Sequence, residues 1–247
     1  MANSDNSKKK ENKIYRGAYK YMRNTNIYCE ETFEVFKDKG DSSMLFQSHI
    51  MSRVATGELL NISVDFKVNK DYIPTLVVIN KVLGNNNVVE TFSFNSKNNT
   101  INYSFESASE TEKLVLNTTP KFSISTPAVC TSMLHLRSKK FDSTGKNIYN
   151  VLSSSNQWSY ESEPSFNTIT IRRMNQASET KTIDGSNVQG VDYKIEYKEE
   201  SDEYDKDAPN LRCFVSQYVT IPYFLEDGKG TKIEVKYFNN LSERELD

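Results

Sequence analysis

Few residues in this chain have the type and spacing needed for chemistry. The only histidines are His49 and His135, and the only cysteines are Cys29, Cys130 and Cys213. Cys130 and His135 are close in sequence, but a nucleophile and its base must come within hydrogen-bond reach. Five positions apart on an expected helix, their side chains diverge. Two histidines with scattered carboxylates make no zinc set. The odd, widely spaced cysteines lack a CxxC pair and are expected as buried, reduced thiols, as in a reducing compartment. The densest carboxylate cluster is Glu199, Glu200, Asp202, Glu203, Asp205 and Asp207. It lacks the glycine and spacing of a calcium loop and reads as a solvated acidic hairpin. Glu30 and Glu31 are neighbours on a strand, so they face opposite sides. Gly228-Lys229-Gly230 is a turn rather than a phosphate loop, and no GxSxG nucleophile elbow occurs. The expectation is no catalytic set, no metal and no cofactor. If the chain were an enzyme, the ionisable groups to converge inside it would be Glu31, His49 and Asp65.

The remaining charge is balanced. Thirty-one basic residues face 33 acidic ones, without the clustered excess that nucleic-acid binding needs. Lys8-Lys9-Lys10 lies in a polar leader and reads as a solubilising tail, with an anchor to an anionic surface as the sharper alternative. Arg137-Ser138-Lys139-Lys140 and Arg172-Arg173 read as solvated faces, though the first could hold an anionic head group. The N-terminus has no apolar signal-peptide core, so a cytoplasmic location is expected, or a periplasmic one if a natural leader has been removed. No stretch is long and apolar enough for a transmembrane helix.

The elements that must position any site are mostly strands. Tyr15, Gly17, Tyr19 and Tyr21 share one face of the first. Ile27, Cys29, Glu31, Phe33 and Val35 share one face of the second. Ile62, Val64, Phe66 and Val68 alternate with Ser63, Asp65 and Lys67, the pattern of a half-buried strand. Tyr72–Leu83 is apolar on both faces, which suits a central or covered strand, with Pro74 near its start. Strands follow at Val88–Phe94, Ile101–Phe105 and Lys113–Leu116. Helix signals then appear: Ser125 or Thr126 as cap, Pro127 at the first helical position, and Val129, Met133 and Leu136 in one apolar stripe. This predicts an amphipathic helix from Thr126 to Phe141. Further strands are expected at Thr168–Arg173, Val191–Tyr197, Leu211–Ile221 and Thr231–Phe238, with a weak one inside Asn147–Trp158. Asp184-Gly185 and Asp227-Gly228-Lys229-Gly230 are expected hairpin turns.

About twelve strands cannot form one flat sheet, because twist accumulates and open edges aggregate. The expected fold is mainly β: one antiparallel meander over residues 14–240, curled into a half-barrel or barrel of lipocalin-like or lipoprotein-carrier-like type. The amphipathic helix serves as its lid or plug, with polar segments 1–13 and 241–247 outside it. Small barrels are ordinarily packed solid, so a space between helix and sheet would be a functional departure. Tyr19, Tyr21, Phe33, Phe66, Val129, Met133, Leu136 and Trp158 are the residues expected to line such a space.

The segments Tyr19-Lys20-Tyr21-Met22-Arg23 and Cys29-Glu30-Glu31-Thr32-Phe33 resemble the opening hairpin of uncharacterised periplasmic β half-barrel families. Tyr72-Ile73-Pro74 resembles a turn-proximal proline found there. The order of elements is similar to bacterial lipoprotein carriers. That resemblance implies binding of acyl chains or lipids, with no catalytic residues to carry over. The expectation is a non-enzymatic binder of a hydrophobic small molecule or lipid. The alternatives are a lipocalin-like enzyme acting on a hydrophobic molecule and an interaction module that pairs through a sheet edge.

Overall fold

A computed structural model of the chain describes residues 11–137, 145–197, 211–216 and 219–242. The first half is an uninterrupted antiparallel meander: β1 (Glu11–Arg23), β2 (Asn26–Asp38), β3 (Met44–Arg53), β4 (Leu59–Val68), β5 (Pro74–Leu83), β6 (Asn86–Asn95), β7 (Thr100–Ser107) and β8 (Thr111–Asn117). The second half holds β9 (Ser123–Ile124), β10 (Lys146–Ser153), β11 (Ser165–Arg173), β12 (Glu179–Ile183), β13 (Ser186–Tyr197), β14 (Leu211–Ser216), β15 (Pro222–Glu226) and β16 (Thr231–Asn240). All belong to one 16-stranded sheet, in the order β8-β7-β6-β5-β4-β3-β2-β1-β16-β15-β14-β13-β11-β10-β9, with β12 paired to β13 alone. The two halves meet where β1 pairs antiparallel with β16. The sheet curls without closing, since β8 and β9 are its two ends.

The curl follows from which side chains face inward. Tyr19, Phe33, Val35, Phe46, Val64, Phe66, Val77, Phe92, Ile101 and Phe105 are buried on one face and join a single core with Leu152, Ile171 and Phe214. Their neighbours in sequence are mostly polar and exposed, so the other face of the meander is wet, as antiparallel sheets allow. β5 lies well inside the sheet, but its second face is not covered: Leu76 is exposed. Part of the outer face of the second half is covered. The β12–β13 hairpin turns through Asp184 (φ 49°) and Gly185 (φ 77°), both left-handed as its two-residue turn requires. Lys181 lies over the rings of Phe214 and Phe224 at 4.4 and 5.2 Å. Asp184 accepts a hydrogen bond from Lys20 at 2.8 Å.

Several expectations need correction. The segment expected as one helix from Thr126 to Phe141 contains two short 3-10 turns, Val129–Thr131 and Leu134–Arg137; residues 138–144 lie outside the described ones. Thr131 and Ser132 spend their hydroxyls on the carbonyls of Ala128 and Val129, at 3.0 and 2.8 Å, competing with helical bonding. Burial is also not one-sided, for Val129, Cys130, Thr131, Met133, Leu134, His135 and Leu136 are all buried. The segment is a strap threaded inside the curl, too enclosed to be amphipathic. Leu211–Ile221 is not one strand: Thr220 has φ 55°, and Pro222 opens β15. β12 was not foreseen, and β1 begins at Glu11, inside the expected leader.

Candidate functional site

Two polar clusters interrupt the apolar concave face. The first is centred on Glu31, which alternation in β2 directs inward between Cys29 and Phe33. Its Oε2 accepts hydrogen bonds from Tyr21 Oη at 2.6 Å and Val129 N at 2.9 Å. Its Oε1 accepts from Ser48 Oγ at 2.9 Å and Cys130 N at 3.3 Å. Glu31 therefore caps the strap's first turn, which has no side-chain cap of its own. Burial raises the Glu31 pKa above the ordinary carboxylate range, against the pull of its four donors. Burial and the Glu31 charge push Cys29 up to about 11 and Cys130 upward as well. Burial also raises Cys213. Thiols held protonated in this way are poor nucleophiles. Around Glu31 the packing is tight: Tyr19 stacks on Phe33 at 5.3 Å.

The second cluster is centred on Glu90 of β6. Its Oε1 accepts from Lys81 Nζ of β5 at 2.9 Å and its Oε2 from Tyr103 Oη of β7 at 2.9 Å. Lys81 Nζ also donates to the Asn156 carbonyl at 2.8 Å. Asn156 Nδ2 donates to Tyr103 Oη at 3.1 Å and to the Ser162 carbonyl. Its Oδ1 accepts from the amides of Glu161 and Ser162. This asparagine is fully buried. It pins the loop between β10 and β11 onto the concave face of β5, β6 and β7.

The pinned loop and the strap face each other over β4–β6. Between them is a cavity of about 380 Å³, within the size range of small-molecule sites. Its floor is Leu60, Ile62, Ile79 and Leu83, its strap side is Ser125, Thr126 and Pro127, its loop side is Ser154, Gln157 and Trp158, and Lys81 and Glu90 form its charged wall. A smaller cavity of about 240 Å³ lies across the strap, lined by His135, Ile169, Ile195, Leu211 and Leu225 among others. The His135 ring lies tilted against Tyr149, with centroids 4.7 Å apart, and burial lowers its pKa to about 4. It is therefore neutral at physiological pH.

Of the eight residues expected to line a ligand space, seven (Tyr19, Tyr21, Phe33, Phe66, Val129, Met133 and Leu136) come together in the packed core. Trp158 lines the larger cavity, half-buried at its loop side. Glu31, His49 and Asp65 do not converge: Glu31 is buried inside, while His49 and Asp65 sit at exposed positions of β3 and β4. The ionisable pair at the cavity is Lys81 and Glu90 instead. Alternation marks both, since they interrupt the apolar stripes Val77-Ile79 and Val88-Phe92. Arg137 is exposed and lies over the Tyr72 ring at 5.8 Å; Lys139, Lys140 and the acidic segment 199–207 lie outside the described residues. No group of three His, Cys, Asp or Glu fit to hold a metal occurs among the described residues. Among them, too, no helix is long and apolar enough to cross a membrane.

The open curl has counterparts among solved structures. A β-barrel-like protein of the domain of unknown function DUF1849 from Brucella abortus is similar over 92% of this chain and 98% of its own, with TM-score 0.56 and 9% identity. A DUF1089 family protein from Pseudomonas aeruginosa is similar over 80% of this chain and 89% of its own, with TM-score 0.50 and 10% identity. No family model and no curated protein matches the chain. Fold and comparisons together define an open, β-barrel-like protein.

Proposed function

We propose that this protein is a non-enzymatic binding or carrier protein for a hydrophobic ligand, a lipid or acyl chain, held between the curled sheet and its two internal covers. The observation that carries this is the larger cavity. Barrels of modest width usually fill themselves with side chains, and the Glu31 side of this molecule does so. The β4–β6 side leaves room above an aliphatic floor of Leu60, Ile62, Ile79 and Leu83. Trp158 supplies an aromatic wall, and the seven packed residues belong to the core. Native mass spectrometry of the purified protein tests this. The expected result is a co-purified apolar molecule lost on delipidation, with rebinding that changes Trp158 emission. A protein that arrives empty and binds no apolar probe overturns it.

The lipocalin-like enzyme remains a second reading because Lys81 and Glu90 converge at the cavity. Both are already committed to structural partners, Asn156 and Tyr103, which favours binding over turnover.

A further inference from the structure

Resting on that binding reading, we infer that the cavity selects apolar molecules ending in an uncharged oxygen head, such as an alcohol, ketone or ester, over fatty-acid anions. The argument begins with donor accounting. A lysine ammonium carries three N–H donors. Lys81 gives one to Glu90 and one to the Asn156 carbonyl. The third has no protein partner among the described residues, and Lys81 lines the cavity. Its position is fixed, because Glu90 is held from the far side by Tyr103, and Asn156 is held by the loop amides.

Charge accounting then chooses the head group. Among the described residues, Lys81 and Glu90 are the only charged ones in the cavity lining, and they cancel. The Lys81 and Glu90 side chains are 10% and 2% exposed, so water screens the pair poorly. A carboxylate or phosphate entering here brings a negative charge beside Glu90 with no cation left to pair it, and a buried unpaired charge is strongly disfavoured. A hydroxyl or carbonyl oxygen accepts the free N–H at no such cost. A hydroxyl can in turn donate to Glu90 or to the side chains of Ser154 and Gln157. An alkane leaves the donor unpaired, which is also unfavourable.

Trp158 is the only tryptophan of the chain, so its emission reports this cavity alone. The test is titration of delipidated full-length protein with decan-1-ol, decanoate and n-decane at about pH 8, where the carboxylate is ionised. Decan-1-ol is expected to bind about tenfold or more tighter than decanoate. The variant Lys81→Met tests the donor. Because it strands Glu90, the charge-neutral double variant Lys81→Met with Glu90→Gln is measured beside it. In the double variant the preference for the alcohol over n-decane should collapse. Saturable binding of all three probes with no preference for the alcohol, or with decanoate tightest, overturns this inference and leaves the binding reading standing. Retention of the full preference in the double variant overturns it too. Failure of every probe to bind overturns both readings.

Discussion

Glu31 and Glu90 are both buried on the concave face, and both accept a tyrosine hydroxyl. Their other partners differ. Glu31 is held by backbone amides of the strap and by Ser48, without a cation. Fixed donors on a rigid segment consume its acceptor sites, and the surrounding rings close over it. Glu90 is held by Lys81, whose ammonium has a donor left over and a cavity in front of it. The same residue type on the same face thus closes the β1–β3 part of the meander and borders a cavity at β4–β6. A carboxylate satisfied by the chain's own backbone serves as a structural pin, whereas one satisfied by a cation beside empty space is, in the binding reading proposed above, part of a site.

The sharpest way to break this comparison is to remove the pin. Glu31→Ala strands two buried amides and two hydroxyls. It should cost about 3–5 kcal/mol in urea unfolding, since buried groups without partners pay their full desolvation penalty. Glu31→Gln should cost less but not nothing, because its NH2 must face the amide of either Val129 or Cys130. The double variant Lys81→Met with Glu90→Gln replaces a buried ion pair by neutral groups, a change often near neutral. If it destabilises more than Glu31→Ala, the division into pin and site is wrong.

The strap also carries an acid-sensitive group. His135 is neutral when folded, its pKa lowered to about 4 by burial, against about 6.5 in the unfolded chain. A depressed folded pKa means that the unfolded state takes the proton first. The associated stability is fully present above about pH 6.5 and is lost as pH falls towards 4, a change of about 3 kcal/mol. Glu31, with its raised pKa, acts in the opposite sense and gains as pH falls. Comparing wild type with His135→Phe over this window isolates the histidine. Wild type should lose the larger amount, and parallel pH profiles would show that the strap is wetter than its packing indicates.

The strands behind this division were legible in the sequence, for identifiable reasons, but the division itself was not. Strands such as β4 advertise themselves because only one face is buried, so Ile62, Val64, Phe66 and Val68 alternate with polar residues. The inward aim of Glu31 follows from the same alternation. The strap misled because Val129, Met133 and Leu136 fit a helical stripe, while Cys130, Thr131, Leu134 and His135 between them are buried as well. The group that caps it lies 98 residues away from Val129, beyond any local pattern. Lys81 and Glu90 went unread because a charge in a strand ordinarily marks the wet face. Their pairing needs the diagonal register of β5 and β6, in which Lys81 faces Val88 and Ile79 faces Glu90.

Two smaller substitutions sharpen the comparison in terms of space alone. A Cβ added at Gly17, in the closed β1–β2 region, would collide with the Phe33 ring and meet the Tyr237 carbonyl at 2.8 Å. Gly17→Ala should therefore cost about 1–3 kcal/mol by overpacking. Leu60→Phe adds a larger increment at the floor of the cavity, where room exists, so its stability should change by less than about 1 kcal/mol. The new ring would occupy ligand space, and decan-1-ol affinity should fall by about tenfold or more. One methyl group costly to stability and one phenyl ring costly only to binding is the outcome that a solid β1–β2 region and a hollow β4–β6 region require. A Leu60→Phe protein that is strongly destabilised would mean that the space above β4 is already filled.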